Sequence, residues 1–456
     1  MMLTLCKGVV KLPMYMVCLV WYCIQSSRKV KMFHFTAFVI KTFQLVFGLR
    51  LTDFDDANAI SDLKRLESIC ISFNILPNGF AQDESITPSK WTKTRSILYS
   101  SLMTVHIVHL ILLSGFDLPE DLAFILGDFF YGHRSHKYFW LYLLSLTIFG
   151  EFLRHYWIHL YKTGGPFSFH MHNFVYDKGY KPEALFMNHF YCHKYRFVSN
   201  SLTNLWIRTV VTSSIIIGPV LVIIVQSVSQ LPPTAPQQII CTYFWLLISY
   251  FGIVCSVCNL MLTGAIINID LSYFYFRAAH VTQTLHNFVT DKLFLQRSDF
   301  MTYYETTIRD IILFLNETEY RNHKVRNWLI FLYLGVSFTA DFGFYSAAIV
   351  HIDNGSLDIS IMAISTLSLI AIGGCSYTNG IMLTMMHSCA KNYMKVAQYL
   401  PSDVLSFMKF TDLQSRLSRT DIAFTIGEIL NMTTYVFVIY LIENASLVMM
   451  LIINMK

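Results

Sequence analysis

Seven long apolar stretches constrain this chain more than any other feature. A helix needs about 20 apolar residues to cross a hydrocarbon core. Segments 96–116, 137–160, 205–228, 239–268, 328–350, 359–387 and 424–454 reach that length. Lipid offers no partner for an unpaired backbone group, so each stretch is expected to be helical. The sequence therefore predicts an all-α, polytopic membrane protein with seven transmembrane helices. Composition agrees, with 54% hydrophobic and only 14% charged residues, where a soluble domain carries about 25% charge. The net charge of +5 does not indicate a nucleic-acid partner, because Lys and Arg form no basic, aromatic-interleaved patch.

Charge placement orients the spans. With the N-terminus cytoplasmic and the C-terminus extracellular, the inside segments are 1–95, 161–204, 269–327 and 388–423, and they hold 29 of the 34 basic residues. The opposite orientation reverses that bias, against the positive-inside rule. Residues 1–24 resemble a signal peptide, but Arg28, Lys29 and Lys31 follow the apolar run and oppose its translocation. We read them as cytoplasmic or interfacial. Residues 32–50 carry Lys41 within an apolar stripe and suit an interfacial helix. The expected organisation is an N-terminal segment 1–95, spans 1 to 4 over 96–268, a cytoplasmic helical extension 269–327, and spans 5 to 7 over 328–456. The last part includes an anchor at 388–423, a pore helix at 424–444 and a tail at 445–456. Asn354, in the third outside loop, is the glycosylation candidate; Asn316 is expected cytoplasmic and bare.

The chemistry-bearing residues argue against an enzyme. His155/His159 and His189/His193 have the HxxxH spacing that puts two imidazoles on one helix face. Membrane di-iron hydroxylases also need HxxHH boxes, and this chain has none. No catalytic set, cofactor or metal is expected. Cys255 and Cys258 form a CxxC inside an apolar run, where small core residues are the plainer reading. Glu151 and Arg154, three residues apart in span 2, are placed to pair on one face. Asp341 is the one acid inside span 5 and has no local base. It faces either a hydrated ligand pocket or the polar stretch Ser376, Tyr377, Thr378 of span 6. The final stretch, Phe424 to Asn454, has 31 residues, about 46 Å as helix, so it projects or breaks. Asn431, Thr434, Val438, Leu441 and Ala445 share one partly polar face at helical spacing. That face lines a pore or packs on neighbouring spans.

The sequence resembles the arthropod gustatory receptor family, part of the insect-type chemoreceptor superfamily. An inside N-terminus before seven spans is the first match. The second lies in span 7, where the family has an Asp in a polar stretch, then Thr-Tyr, five mostly apolar residues and Gln-Phe. Here LQSRLSRTD (413–421) leads to Thr434-Tyr435, then Val436 to Tyr440, with Leu441-Ile442 replacing Gln-Phe. The resemblance implies a ligand-gated non-selective cation channel, a homo- or hetero-tetramer in the plasma membrane of chemosensory cells, in contact with lipid and gated by a small-molecule tastant or odorant. It implies a pore and gate at Asn431, Thr434, Val438, Leu441 and Ile442, closing by dewetting. Pocket residues do not transfer by motif; Trp140, Trp245, Asp341 and Tyr345 are the aromatic and polar picks in the middle or outer half of their spans. The alternative, a G-protein-coupled receptor, needs an outside N-terminus, an acidic-Arg-aromatic trio after span 3 and Asn-Pro-x-x-Tyr in span 7; the sequence shows none of these motifs.

Overall fold

The computed structural model describes residues 56–80, 90–128, 131, 136–162, 167–228, 236–290, 300–350, 355–396, 404–419, 421–428 and 430–454. The interfacial helix expected at 32–50 and the candidate Asn354 lie outside the described residues. The elements are α1 Asp56–Ser72, α2 Lys90–Gly115, α3 Glu120–Ile125, α4 His136–Lys162, α5 Phe167–Lys178 and α6 Pro182–Leu185. They continue with α7 His189–Val228, α8 Pro236–Thr290, α9 Phe300–Tyr345, α10 Gly355–Val396 and α11 Val404–Leu417. A two-stranded hairpin, β1 Thr425–Ile426 and β2 Leu430–Asn431, precedes α12 Thr434–Asn454.

Five helices are long and apolar enough to cross a membrane: α2, α7, α8, α9 and α10. Helix α4 has the length, at 27 residues, but carries Glu151, Arg154 and His155. The chain is a helical, polytopic membrane protein. The first six expected spans fall inside α2, α4, α7, α8, α9 (with the π-helical turn Ser346–Val350 that ends it) and α10. Helix α8 has 55 residues and α9 has 46, about 82 and 69 Å at ~1.5 Å per residue. Both outrun a ~30 Å core, so the segment 269–327 is largely two helical extensions.

Helix α8 is the centre of the bundle, packing along α7, α10 and α4 and reaching α9 and α2. Close approach depends on Gly150 of α4: a Cβ there would meet the Ser256 backbone at 2.9 Å. Trp157 donates its indole N–H to Thr263 Oγ1 at 2.9 Å and meets Trp328 edge-on at 5.3 Å. Such an aromatic pair adds about 0.5–1.5 kcal/mol beyond its burial, and here it ties α4 to both α8 and α9. Glu151 and Arg154 do pair, as their spacing predicts; Arg154 Nε reaches Glu151 Oε2 at 2.9 Å and Nη2 reaches Ser100 Oγ of α2 at 3.0 Å. Deeper in the extensions, a buried Asp270–Arg321 ion pair joins α8 to α9.

The seventh segment differs from expectation. Thr425–Ile426 and Leu430–Asn431 pair as the hairpin, and the helix occupies Thr434–Asn454 in place of 424–444 with a tail. Three local features explain this. Gly427 adopts φ +62°, the left-handed turn geometry. Side chains of neighbouring helices take the hairpin's backbone groups. Thr433 then caps α12, its Oγ1 accepting the Val436 N–H at 3.2 Å.

Candidate functional site

The candidate site is α12 and what holds its two ends. Its base is the hairpin. Asn379 of α10 is buried and donates to the carbonyls of Phe424 (3.0 Å) and Met432 (2.7 Å). Its Oδ1 accepts the Phe424 N–H at 3.1 Å. Asn322 of α9 accepts the Thr425 N–H at 2.9 Å, and the Gly427 N–H reaches the Arg326 carbonyl at 2.8 Å. The start of α12 is thus bolted to α9 and α10 by two asparagines.

Below the hairpin lies a charged belt. Arg419 donates to Asp421 at 2.9 and 2.7 Å and to Glu319 of α9 at 3.3 Å. The hydrogen bonds from Arg419 hold the Asp421 carboxyl below its ordinary value, and the same bonds raise Arg419. Arg416 donates to Asn316 at 2.7 Å. His172 of α5 is buried against Phe80 (ring centroids 4.5 Å), and neither ring nitrogen has a hydrogen-bond partner among the described residues. Burial, reinforced by the Arg321 charge, pushes His172 down to about 3.

One side of α12 packs inward. Tyr440 meets Tyr333 of α9 edge-on at 5.6 Å, and the Tyr333 hydroxyl bonds Ser376 of α10. Asn444 is buried on the same side. Asp341 of α9 lies within electrostatic reach of Tyr440. It is 1% exposed, and its Oδ2 has no hydrogen-bond partner among the described residues.

The opposite side is open. Tyr435 (71% exposed), Ile439, Ile442 (61%), Ser446, Met449 and Ile453 (75%) all face outward. Their spacing is 4-3-4-3-4, the repeat of a helix that packs lengthwise on another helix. The pore residues expected from sequence divide accordingly. Ile442 lies on the open seam, Val438 is half-buried beside it, and Thr434 and Leu441 occupy α12. Asn431 is in β2 and off the helix.

The four pocket picks also divide. Trp140 and Tyr345 are buried in one hydrophobic core with Tyr142 and Phe342, between α4 and α9. Trp140 also donates to Asp128 Oδ1 at 3.1 Å. Trp245 of α8 stacks on His109 of α2 at 4.0 Å and donates to the Ile125 carbonyl at 2.9 Å. The His109 ring contacts the Leu126 carbonyl at 2.7 Å. Two tryptophans and a histidine thus pin the 119–128 loop over the bundle, where Gly127 (φ +64°) sits against Trp245. Asp341 faces α12 instead. Sequence reasoning missed Asn379, a polar residue inside the sixth apolar run, and Asn322, six residues before the fifth.

No protein-family model matches the chain, and no curated protein matches it. Solved structures do. The insect olfactory receptor OR5 from Machilis hrabei in complex with eugenol aligns with a TM-score of 0.54 at 11% identity, over 88% of this chain and 98% of that one. A second structure of the same receptor aligns at 0.55 and 10% identity, over 88% of this chain and 100% of that one. This chain has the fold of that olfactory receptor. At such identity the likeness carries the fold and no residue's role.

Proposed function

We propose that this protein is a gustatory-receptor-like chemosensory receptor, a ligand-gated non-selective cation channel. Four copies surround an ion path in the plasma membrane of chemosensory cells. The chain crosses seven times, with the N-terminus cytoplasmic and the C-terminus extracellular. The basic residues favour this orientation. It puts the hairpin and the Arg419 belt inside and the 119–128 loop outside.

The observation that carries the reading is the open heptad seam of α12. A helix of 21 residues, about 32 Å long, matches a ~30 Å core. One side is packed on α9 and α10, and the other presents apolar residues at the spacing of helix pairing. Four such seams around an axis make a pore lined by Ile439, Ile442 and Ser446, with Val438 beside it. Ile442 and Ile439 form a constriction that closes by dewetting. The inside extensions of α8 to α10 and α11 hold the copies together. A small-molecule tastant or odorant binds in the outer core around Trp140, Tyr142, Phe342 and Tyr345. Its binding reaches α12 along α9, through Asp341 and Tyr440.

Current recording from cells expressing the chain, challenged with sugars, bitter compounds and volatiles, tests this. A ligand-dependent inward current carried by both Na⁺ and K⁺ is expected. Silence across the panel from surface-verified tetramers would overturn the channel reading.

A further inference from the structure

Helix α12 reads TYVFVIYLIENASLVMMLIIN and carries a single charge, Glu443. The shift of the helix to 434–454 changes where that charge sits. It is the tenth residue, about 14 Å from the start at ~1.5 Å per residue. In a helix matched to a ~30 Å core, that is close to the bilayer midplane.

Glu443 is exposed and makes no hydrogen bond or ion pair among the described residues. Its immediate neighbour Asn444 is turned inward. At about 100° per residue, Glu443 flanks the open seam, next to Ile442 and one turn above Ile439. A carboxylate at that depth does not face lipid; intramembrane acids turn to water-filled cavities or to a base. The same helix of another copy brings no Lys or Arg to pair with it. Water and permeant cations remain as its counter-charge.

We propose that Glu443 of each copy borders the ion path at mid-membrane and sets the preference for cations over anions and the affinity for divalent cations. The inference rests on the channel reading above. Its partner is a second copy of this chain, whose seam meets Tyr435, Ile439, Ile442, Ser446, Met449 and Ile453. A ring of carboxylates in a low-dielectric wall concentrates cations and repels chloride.

The test uses Ile442→Ser, which wets the constriction and is expected to give a constitutive current without ligand. Reversal potentials in a NaCl gradient then compare this background with Ile442→Ser/Glu443→Gln. The sodium-to-chloride permeability ratio is expected to fall by about threefold or more, and block by external Ca²⁺ to weaken about tenfold. Glu443→Asp should keep both. Unchanged ratio and unchanged block in Glu443→Gln overturn the inference while leaving the channel reading standing. Absence of current in a surface-verified Ile442→Ser tetramer overturns both. If Glu443→Gln fails to reach the surface, Glu443→Cys is read by block with external Cd²⁺. Block supports the inference, and full current in Cd²⁺ refutes it.

Discussion

Asn379→Leu should release the base of α12. The substitution keeps the branched outline of the side chain but removes one acceptor and two donated hydrogen bonds, at 3.1, 3.0 and 2.7 Å. It strands the Phe424 N–H and the Met432 carbonyl in a buried site, while the Phe424 carbonyl keeps the Met432 N–H at 3.2 Å. Each stranded buried group costs about 1–3 kcal/mol, so the hairpin loses at least ~2 kcal/mol. At 1.4 kcal/mol per tenfold, local opening becomes about 30-fold more frequent. Hydrogen–deuterium exchange on the detergent-solubilised protein reads this directly. A peptide covering 422–433 should exchange about 30-fold faster, while one from the middle of α8 keeps its wild-type rate. Thr425 and Gly427 have separate anchors on α9, so their amides should change less than that of Phe424. Wild-type protection at Phe424 in Asn379→Leu would refute the bolted-hairpin account.

Further outcomes follow from the packing. His172 is held neutral by burial, down to about 3. With a lowered folded-state value, it contributes stability that is present above its unfolded value near 6.5 and is lost as pH falls toward 3. Thermal midpoints should therefore decline below pH 6.5, with a one-proton slope of ~1.4 kcal/mol per pH unit; His172→Phe should flatten that decline, and an identical slope would count against it. Arg154→Met leaves the buried Glu151 carboxylate facing His155 at 3.2 Å and should destabilise by about 3 kcal/mol, whereas Glu151→Gln/Arg154→Met should recover most of it; a double variant as unstable as the single would contradict the pairing. Gly150→Ala should push α4 off α8 and lower stability by about 1–3 kcal/mol, seen as a lower midpoint with the Trp157 region exchanging faster.

Much of the fold was legible because six segments are apolar at span length and have no competing local structure. The seventh was not, because apolarity alone does not separate a buried hairpin from a helix. The turn signal was Gly427, and Thr433 marked the start of α12; both are single residues in a long apolar run. The inward side of α12 was not legible for a related reason. A helix apolar on nearly all sides carries little record of which side meets its neighbours. The set Asn431, Thr434, Val438, Leu441 and Ala445 assumed one continuous helix, and Asn431 lies off it in β2. Only the contacts of Tyr440 and Asn444 fix the inward side. Trp140 and Tyr345 came together in one core between α4 and α9, but Trp245 and Asp341 did not join them, since helix rotation decides what a span residue meets. The Arg419 belt was readable in outline from the charge-rich 388–423 segment.

The most direct test of the central claim is the current through Ile442→Cys, applied with a membrane-impermeant cationic thiosulfonate outside. If copies of α12 line a conducting path, cells expressing this variant should carry a constitutive current that the reagent abolishes and that wild-type cells lack. A labelled cysteine on surface-verified tetramers, with no current before or after the reagent, would contradict the account.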